Sequence, residues 1–177
     1  MRSTARPRAL QLQSIDIVAQ NPLDVFARIA LAENYDRERL GDNELHLTLP
    51  GTWCDHQVTI GWDPQGGLVQ IYLLFDFRIP DGRSDAICRL ISLLNSRLSV
   101  GHFDFWDKDD ALVYRQSVCL SGDARLNTAQ AMTMLAAALE AAEKGYPASQ
   151  YMLWGGKSAR EAIDCAILER AARGSLL

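Results

Sequence analysis

The sequence predicts an α+β fold: an antiparallel five-stranded sheet packed against helices, in the order α-βββ-α-ββ-α-α. Three observations predict it. From Leu68 to Ile79 the residues alternate, with Val69, Ile71, Leu73, Phe75, Phe77 and Ile79 on one parity, the period of a strand with one buried face. Ala86, Ile87, Leu90, Ile91, Leu94 and Leu98 recur at helical spacing, an apolar stripe suited to lying on that sheet. The strand-like segments come in runs joined by short turns, with helical segments between the runs, which is the pattern of an antiparallel sheet covered by helices.

Each element has its own signal. Asn21 can cap a first helix, Pro22 suits its first position and Asp24 complements its dipole, with Phe26, Ile29 and Ala30 on the apolar side as far as about Asn34. Leu45, Leu47 and Leu49 alternate in a first strand that ends at the Pro50-Gly51 turn, and Val58, Ile60 and Trp62 do the same in a second strand, Cys54 to Trp62. The Leu68 to Ile79 strand follows, then the helix opened by Ser84 or Asp85. Gly101 to Trp106 and a strand bearing Leu112, Tyr114, Val118 and Leu120 form a hairpin around Asp107 to Asp110. Asn127 and Gln130 make a capping pair for a third helix with Met132, Leu135, Leu139 and Ala142 inward, and Gly145 and Pro147 are expected to interrupt it. Ser158 and Glu161 open a last helix with Ala162, Ile163, Ala166 and Ile167 inward.

Composition bounds the function. With 177 residues, 48% of them hydrophobic and 23% charged, the chain reads as one globular domain over residues 21–177 behind a mobile N-terminal arm, residues 1–20. The net charge of −4 and the absence of a basic stripe beyond Arg2, Arg6 and Arg8 argue against nucleic acid as a partner. No apolar run reaches the ~18 residues a membrane helix needs, and the start lacks the apolar segment of a secretory signal. The expectation is a cytoplasmic protein with no membrane contact. Cys54, Cys88, Cys119 and Cys165 have no CxxC spacing and are expected as small core residues in a reducing compartment.

No constellation carries evident chemistry. Gly155-Gly156-Lys157-Ser158 has the end of a phosphate-cradling loop, but that loop needs glycine where this chain has Tyr151, so the segment is expected to stop one helix and cap the next. Cys54 and His56, with His102 and Asp104, could supply metal ligands, yet no CxxC or HExxH spacing supports a site. Ser117 or Ser99 with His102 and Asp104 forms a hydrolytic triad only on paper, since no G-x-S-x-G elbow is present. The expectation is a protein that is not an enzyme, with no catalytic, metal or cofactor-binding residues.

Ser99 to Trp106 divides by parity. Phe103 and Phe105 belong to the core side, and His102, Asp104 and Trp106 to the other. Tyr72 and Leu74 join that second face from the longest strand. Tyr72, Leu74, His102, Asp104 and Trp106 are therefore the candidate partner-binding residues, aromatic anchors within a polar rim, unless the C-terminal helices fold back over them. A small-molecule pocket near His102, Asp104 and Trp106, in a sensor or an enzyme, is the alternative.

Three segments carry a family resemblance: Pro50-Gly-Thr-Trp53-Cys54-Asp55, Val100-Gly101-His102-Phe103-Asp104-Phe105-Trp106, and Tyr146 through Trp154, Gly155, Gly156, Lys157 and Ser158. They resemble, in order, the signature segments of the bacterial YbjN domain family of sensory transduction regulators, over about residues 20 to 172. The resemblance implies a fold like that of type III secretion chaperones. It also implies a non-enzymatic regulatory or chaperone-like module, homodimeric, acting by contact with another protein. It brings no catalytic residues and no cofactor. The long third helix and the additional last helix depart from that pattern and could cover surface that a chaperone leaves free.

Overall fold

The computed structural model describes residues 21–174, with side chains as far as residue 172; the expected arm, residues 1–20, lies outside them. The elements are α1 (Pro22–Ala32), β1 (Asp36–Leu40), β2 (Glu44–Leu49), β3 (His56–Asp63), β4 (Leu68–Arg78), α2 (Ser84–Asn95), β5 (His102–Trp106), β6 (Ala111–Cys119), α3 (Thr128–Leu153) and α4 (Ala159–Gly174). The strands form one sheet in the order β1-β2-β3-β4-β6-β5, antiparallel throughout.

The sheet thus has six strands, not five. The strand missing from the sequence reading is β1, Asp-Arg-Glu-Arg-Leu, in which every residue is exposed and no apolar alternation exists. Its pairing with β2 puts Arg37 and Arg39 opposite Leu47 and Leu45, and Asp36 and Glu38 opposite Thr48 and His46. The two basic residues therefore share the helix-side face, where Arg39 donates to Asp24 of α1 at 2.6 Å.

One face of the sheet is the core. Leu47, Val58, Leu73, Tyr114 and Phe103 stand side by side across five strands, each buried. Along β4, Val69, Ile71, Leu73 and Phe75 are essentially closed to solvent, and their burial contributes on the order of 8 kcal/mol. A one-residue slip would expose all four, so the register is firmly set. The pairing of β4 with β6 is irregular between Leu74 and Arg78, where four steps of β4 span the two from Val113 to Ala111.

The helices pack on this same face. Gln116 of β6 donates to the Met134 carbonyl of α3, and Asn95 at the end of α2 binds the backbone of Phe103 in β5. Among the described residues no helix covers the opposite face, so the C-terminal helices do not fold back over it.

The expected interruption of the third helix does not occur: α3 runs unbroken for 26 residues. Pro147 cannot donate to the Glu143 carbonyl, but contact with the sheet outweighs that lost bond. Gly145 is a notch: a Cβ there would come within 2.7 Å of the Phe103 ring. The helix starts at the expected box, Asn127 accepting from the Gln130 amide at 2.8 Å and Gln130 Oε1 accepting from the Asn127 amide at 3.0 Å. It ends at Gly155 and Gly156, the latter at φ +66°, with the Lys157 amide donating back to the Tyr151 carbonyl. Ser158 and Glu161 then cap α4 reciprocally. The glycine-lysine-serine segment is a helix stop and a cap.

Three burial expectations fail. Met132 and Ile167 are about half exposed, 48% and 52%, because each lies at the edge of its helix's buried face, next to buried Ala131 and Ala166. Cys88 and Cys119 are exposed, and Cys54 and Cys165 only part-buried, so the cysteines are not core residues. No disulfide joins them.

Candidate functional site

The uncovered sheet face gathers all five candidate residues. Tyr72 of β4, Arg115 of β6 and His102 of β5 are consecutive cross-strand neighbours, and Leu74, Val113 and Asp104 form the next row. The Tyr72 and Trp106 rings lie 5.8 Å apart, and the Arg115 guanidinium sits 5.7 Å from the Tyr72 ring centroid, a cation–π contact. Arg115 also reaches Asp104 Oδ2 at 3.6 Å. Val113 is fully buried although it lies on this face, because its taller neighbours close over it. Leu74 is left 46% exposed beside the aromatic pair.

Asp104 has a second task. Its Oδ1 accepts from the Phe105 amide at 3.0 Å, on the outer edge of β5. Two residues earlier, the Asn95 carboxamide donates to the Phe103 carbonyl at 3.0 Å and accepts from the Phe103 amide at 2.7 Å. These side chains occupy the edge groups that an additional strand would use.

The family segments meet on the other face. Gly51, at the turn before β3, leaves room for the His56 ring; a Cβ there would lie 2.7 Å from it. Gly101, at φ +69°, lies under the Tyr114 hydroxyl, which donates to the Val100 carbonyl at 3.0 Å. Tyr146 of α3 stacks on Phe75 at 6.2 Å and meets the edge of Phe77 at 5.7 Å, and Trp154 meets Phe77 at 5.4 Å. Phe103 packs against Phe75 at 6.0 Å. The three segments are distant in sequence and form one aromatic cluster under α3. Asp55 and Lys157 stay exposed at its margins, and Trp53 is part-buried.

Within this cluster lies a buried polar group of which the sequence reading offered only Cys54 and His56, as possible metal ligands, and not Glu143. His56 is 2% exposed, with Nδ1 3.8 Å from Cys54 Sγ and Nε2 3.5 Å from Glu143 Oε1. The second distance is a close approach without hydrogen-bond geometry, and Nε2 has no hydrogen-bond partner among the described residues. Glu143 Oε1 instead accepts from the Thr52 amide at 2.7 Å. Only the parity of His56 with Val58 and Ile60 signalled this burial.

Thiol, imidazole and carboxylate in that order resemble a cysteine nucleophile with its base, but the electrostatics oppose it. Burial pushes the Cys54 thiol up to about 11, with the Asp76, Glu143 and Asp55 carboxylates adding to the effect and the Tyr146 hydroxyl only partly offsetting it. Burial, then Asp76, likewise pushes the Tyr146 hydroxyl up to about 12. A thiol held protonated is a poor nucleophile and a poor ligand. His56 and His102 project from opposite faces of the sheet, which separates the metal ligands considered from sequence. Among the described residues no group of three or more His, Cys, Asp or Glu side chains could hold a metal ion. The paper triad fails too, since Asp104 is engaged by Phe105 and Arg115.

The family described as "Putative bacterial sensory transduction regulator", YbjN, matches residues 22–150. The chain belongs to the YbjN family. Among solved structures it is similar to YbjN from E. coli, described as "a putative transcription regulator", at 13% identity and a TM-score of 0.47, over 67% of this chain and 84% of that one. No curated protein matches this YbjN-family chain. The match of residues 22–150 takes in the first two signature segments and the start of the third; the helix stop at Gly155 and the whole of α4 lie beyond it. No described helix is long and apolar enough to cross a membrane.

Proposed function

We propose that this YbjN-family chain is a non-enzymatic regulatory module, chaperone-like in its mode of action, that recognises another protein through the open face of its sheet. The observation that supports the reading is the patch of Tyr72, Trp106, Leu74 and His102 on a face that no described helix covers. Aromatic side chains held by neighbours lose little entropy on binding, and Arg115 and Asp104 supply a polar rim. A cytoplasmic homodimer using this face fits the same reading. The family's description as a regulator points in that direction, without naming a partner.

The alternative of a pocket around His102, Asp104 and Trp106 draws less support. A cavity of about 350 Å³ does open at this end of the sheet, but of the three residues only Trp106 lines it, beside Leu74, Asp76 and Arg78.

The test is affinity capture from the native cell with the wild-type chain and with the Tyr72→Ala/Trp106→Ala variant. The reading expects at least one partner to be lost from the variant while its melting temperature stays near that of the wild type. Identical captures from a folded variant would discard it. Light scattering of the wild type and of Leu74→Arg decides whether the same face joins two copies.

A further inference from the structure

A second feature lies on the far side of the molecule and is independent of the sheet-face reading. A cavity of about 470 Å³ opens between the C-terminal end of α2, the second half of α3 and α4. Leu94, Leu98, Phe103, Ile163, Ala166 and Ile167 make its apolar walls. Leu94, Phe103, Ile163 and Ala166 form its closed floor, each 5% exposed or less, while part-buried Leu98 and half-exposed Ile167 form the apolar surface at its mouth. Its size is that of a small-molecule site.

The polar groups that line it are mostly of one sign: Arg97 from the loop after α2, Lys144 from α3 and Arg170 from α4, with Glu143 the one carboxylate. Glu143 Oε1 is engaged by the Thr52 amide at 2.7 Å, with His56 Nε2 3.5 Å away. Lys144 donates to Glu140 at 2.7 Å, and both Lys144 and Arg170 hold the Glu140 carboxyl below its ordinary range. Arg97 and Arg170 carry the remaining positive charge at the opening, Arg170 sharing its charge with Glu140. An apolar recess with guanidinium groups at its entrance matches a molecule with an alkyl chain and a terminal anion, and it disfavours cationic amphiphiles.

We propose that this cleft binds a single-chain anionic amphiphile of the fatty-carboxylate class, its chain against Leu98 and Ile167 over the floor of Phe103, Ile163 and Ala166, and its head group against Arg97 and Arg170. Phe103 belongs to the same signature segment whose outer residues form the open sheet face, so a ligand here would touch the strand that carries Trp106.

The experiment is calorimetric titration of the full chain with octanoate, decanoate and dodecanoate, and with the matching primary alcohols, below each probe's micelle threshold. Affinity should rise roughly fourfold per added methylene. Each carboxylate should bind roughly fivefold more tightly than its alcohol, and this preference should vanish in Arg97→Gln/Arg170→Gln, whose substituted side chains are exposed. Ala166→Phe, which fills the recess, should abolish binding; circular dichroism checks that it folds, and if it does not, the arginine variant alone decides. No saturable binding, equal binding of alcohol and carboxylate, an unchanged preference in the arginine variant, or binding that survives in folded Ala166→Phe would each overturn the proposal.

Discussion

At Gly101 two constraints fall on the side chain that the residue lacks. Its φ of +69° is costly for any residue with a Cβ, and that Cβ would lie 2.3 Å from the Tyr114 hydroxyl and 2.8 Å from the Arg115 carbonyl. Gly101→Ala should cost on the order of 3 kcal/mol, read from urea midpoints. Tyr114→Phe in the same chain should recover only part of the loss, because the backbone angle and the Arg115 carbonyl remain. Full recovery would show that the hydroxyl clash was the whole effect. Cys54 gives a second prediction at this scale. Its raised pKa leaves little thiolate at mildly alkaline pH, so iodoacetamide should modify exposed Cys88 and Cys119 well before Cys54, as peptide mass spectrometry would show. Modification of Cys54 first would contradict the electrostatics of its site.

Single elements show where sequence patterns inform and where they mislead. Strand β4 was legible because its burial follows the pleat, and α2 because its stripe follows the helix. β1 was illegible because an edge strand of charged residues is specified by its neighbour β2 and by the Arg39–Asp24 pair, neither of which leaves a periodic trace. In α3, Gly145 and Pro147 read as a break because local propensity says so, whereas packing of Gly145 against Phe103 and of Tyr146 against Phe75 and Phe77 decides the outcome. That yields a test: Gly145→Ala would add up to ~1 kcal/mol of stability to an exposed helix, but here the new methyl meets the Phe103 ring at 2.7 Å and the variant should be less stable than the wild type. A rise in melting temperature would show that the ring yields freely. The five candidate residues were found by parity alone, and parity placed them on the correct face. Cys54 and His56 were visible as a pair two residues apart, but Glu143 escaped notice because it comes from α3 and only the folded chain brings it to them.

Across the molecule, three groups among the described residues resist losing a proton. Cys54 moves from 9.0 to about 11, and Tyr114 and Tyr146 from 10.0 to about 12, in each case first through burial. Each binds its proton more tightly in the folded chain than in the unfolded one. Their stabilising effect is therefore complete below about pH 9 and is lost as the pH climbs toward about 12. Urea midpoints should fall progressively across that window, and Tyr146→Phe should flatten the decline. A midpoint that holds level would mean that these groups are better hydrated than their surroundings imply.

The alternation of charge in β1 sets a rule for how copies of the molecule can meet. Two β1 strands joined edge to edge about a two-fold axis must pair residues of equal parity, since side chains opposite one another share a face. Apart from Leu40, the even positions Asp36 and Glu38 are acidic and the odd positions Arg37 and Arg39 are basic, so antiparallel registers centred on residues 36 to 39 set like charges against each other. With the opposite edge occupied by Asn95 and Asp104, lateral growth of the sheet is discouraged on both sides. Two copies are therefore steered to approach through their faces, and continuous fibres built by strand addition are disfavoured from either end.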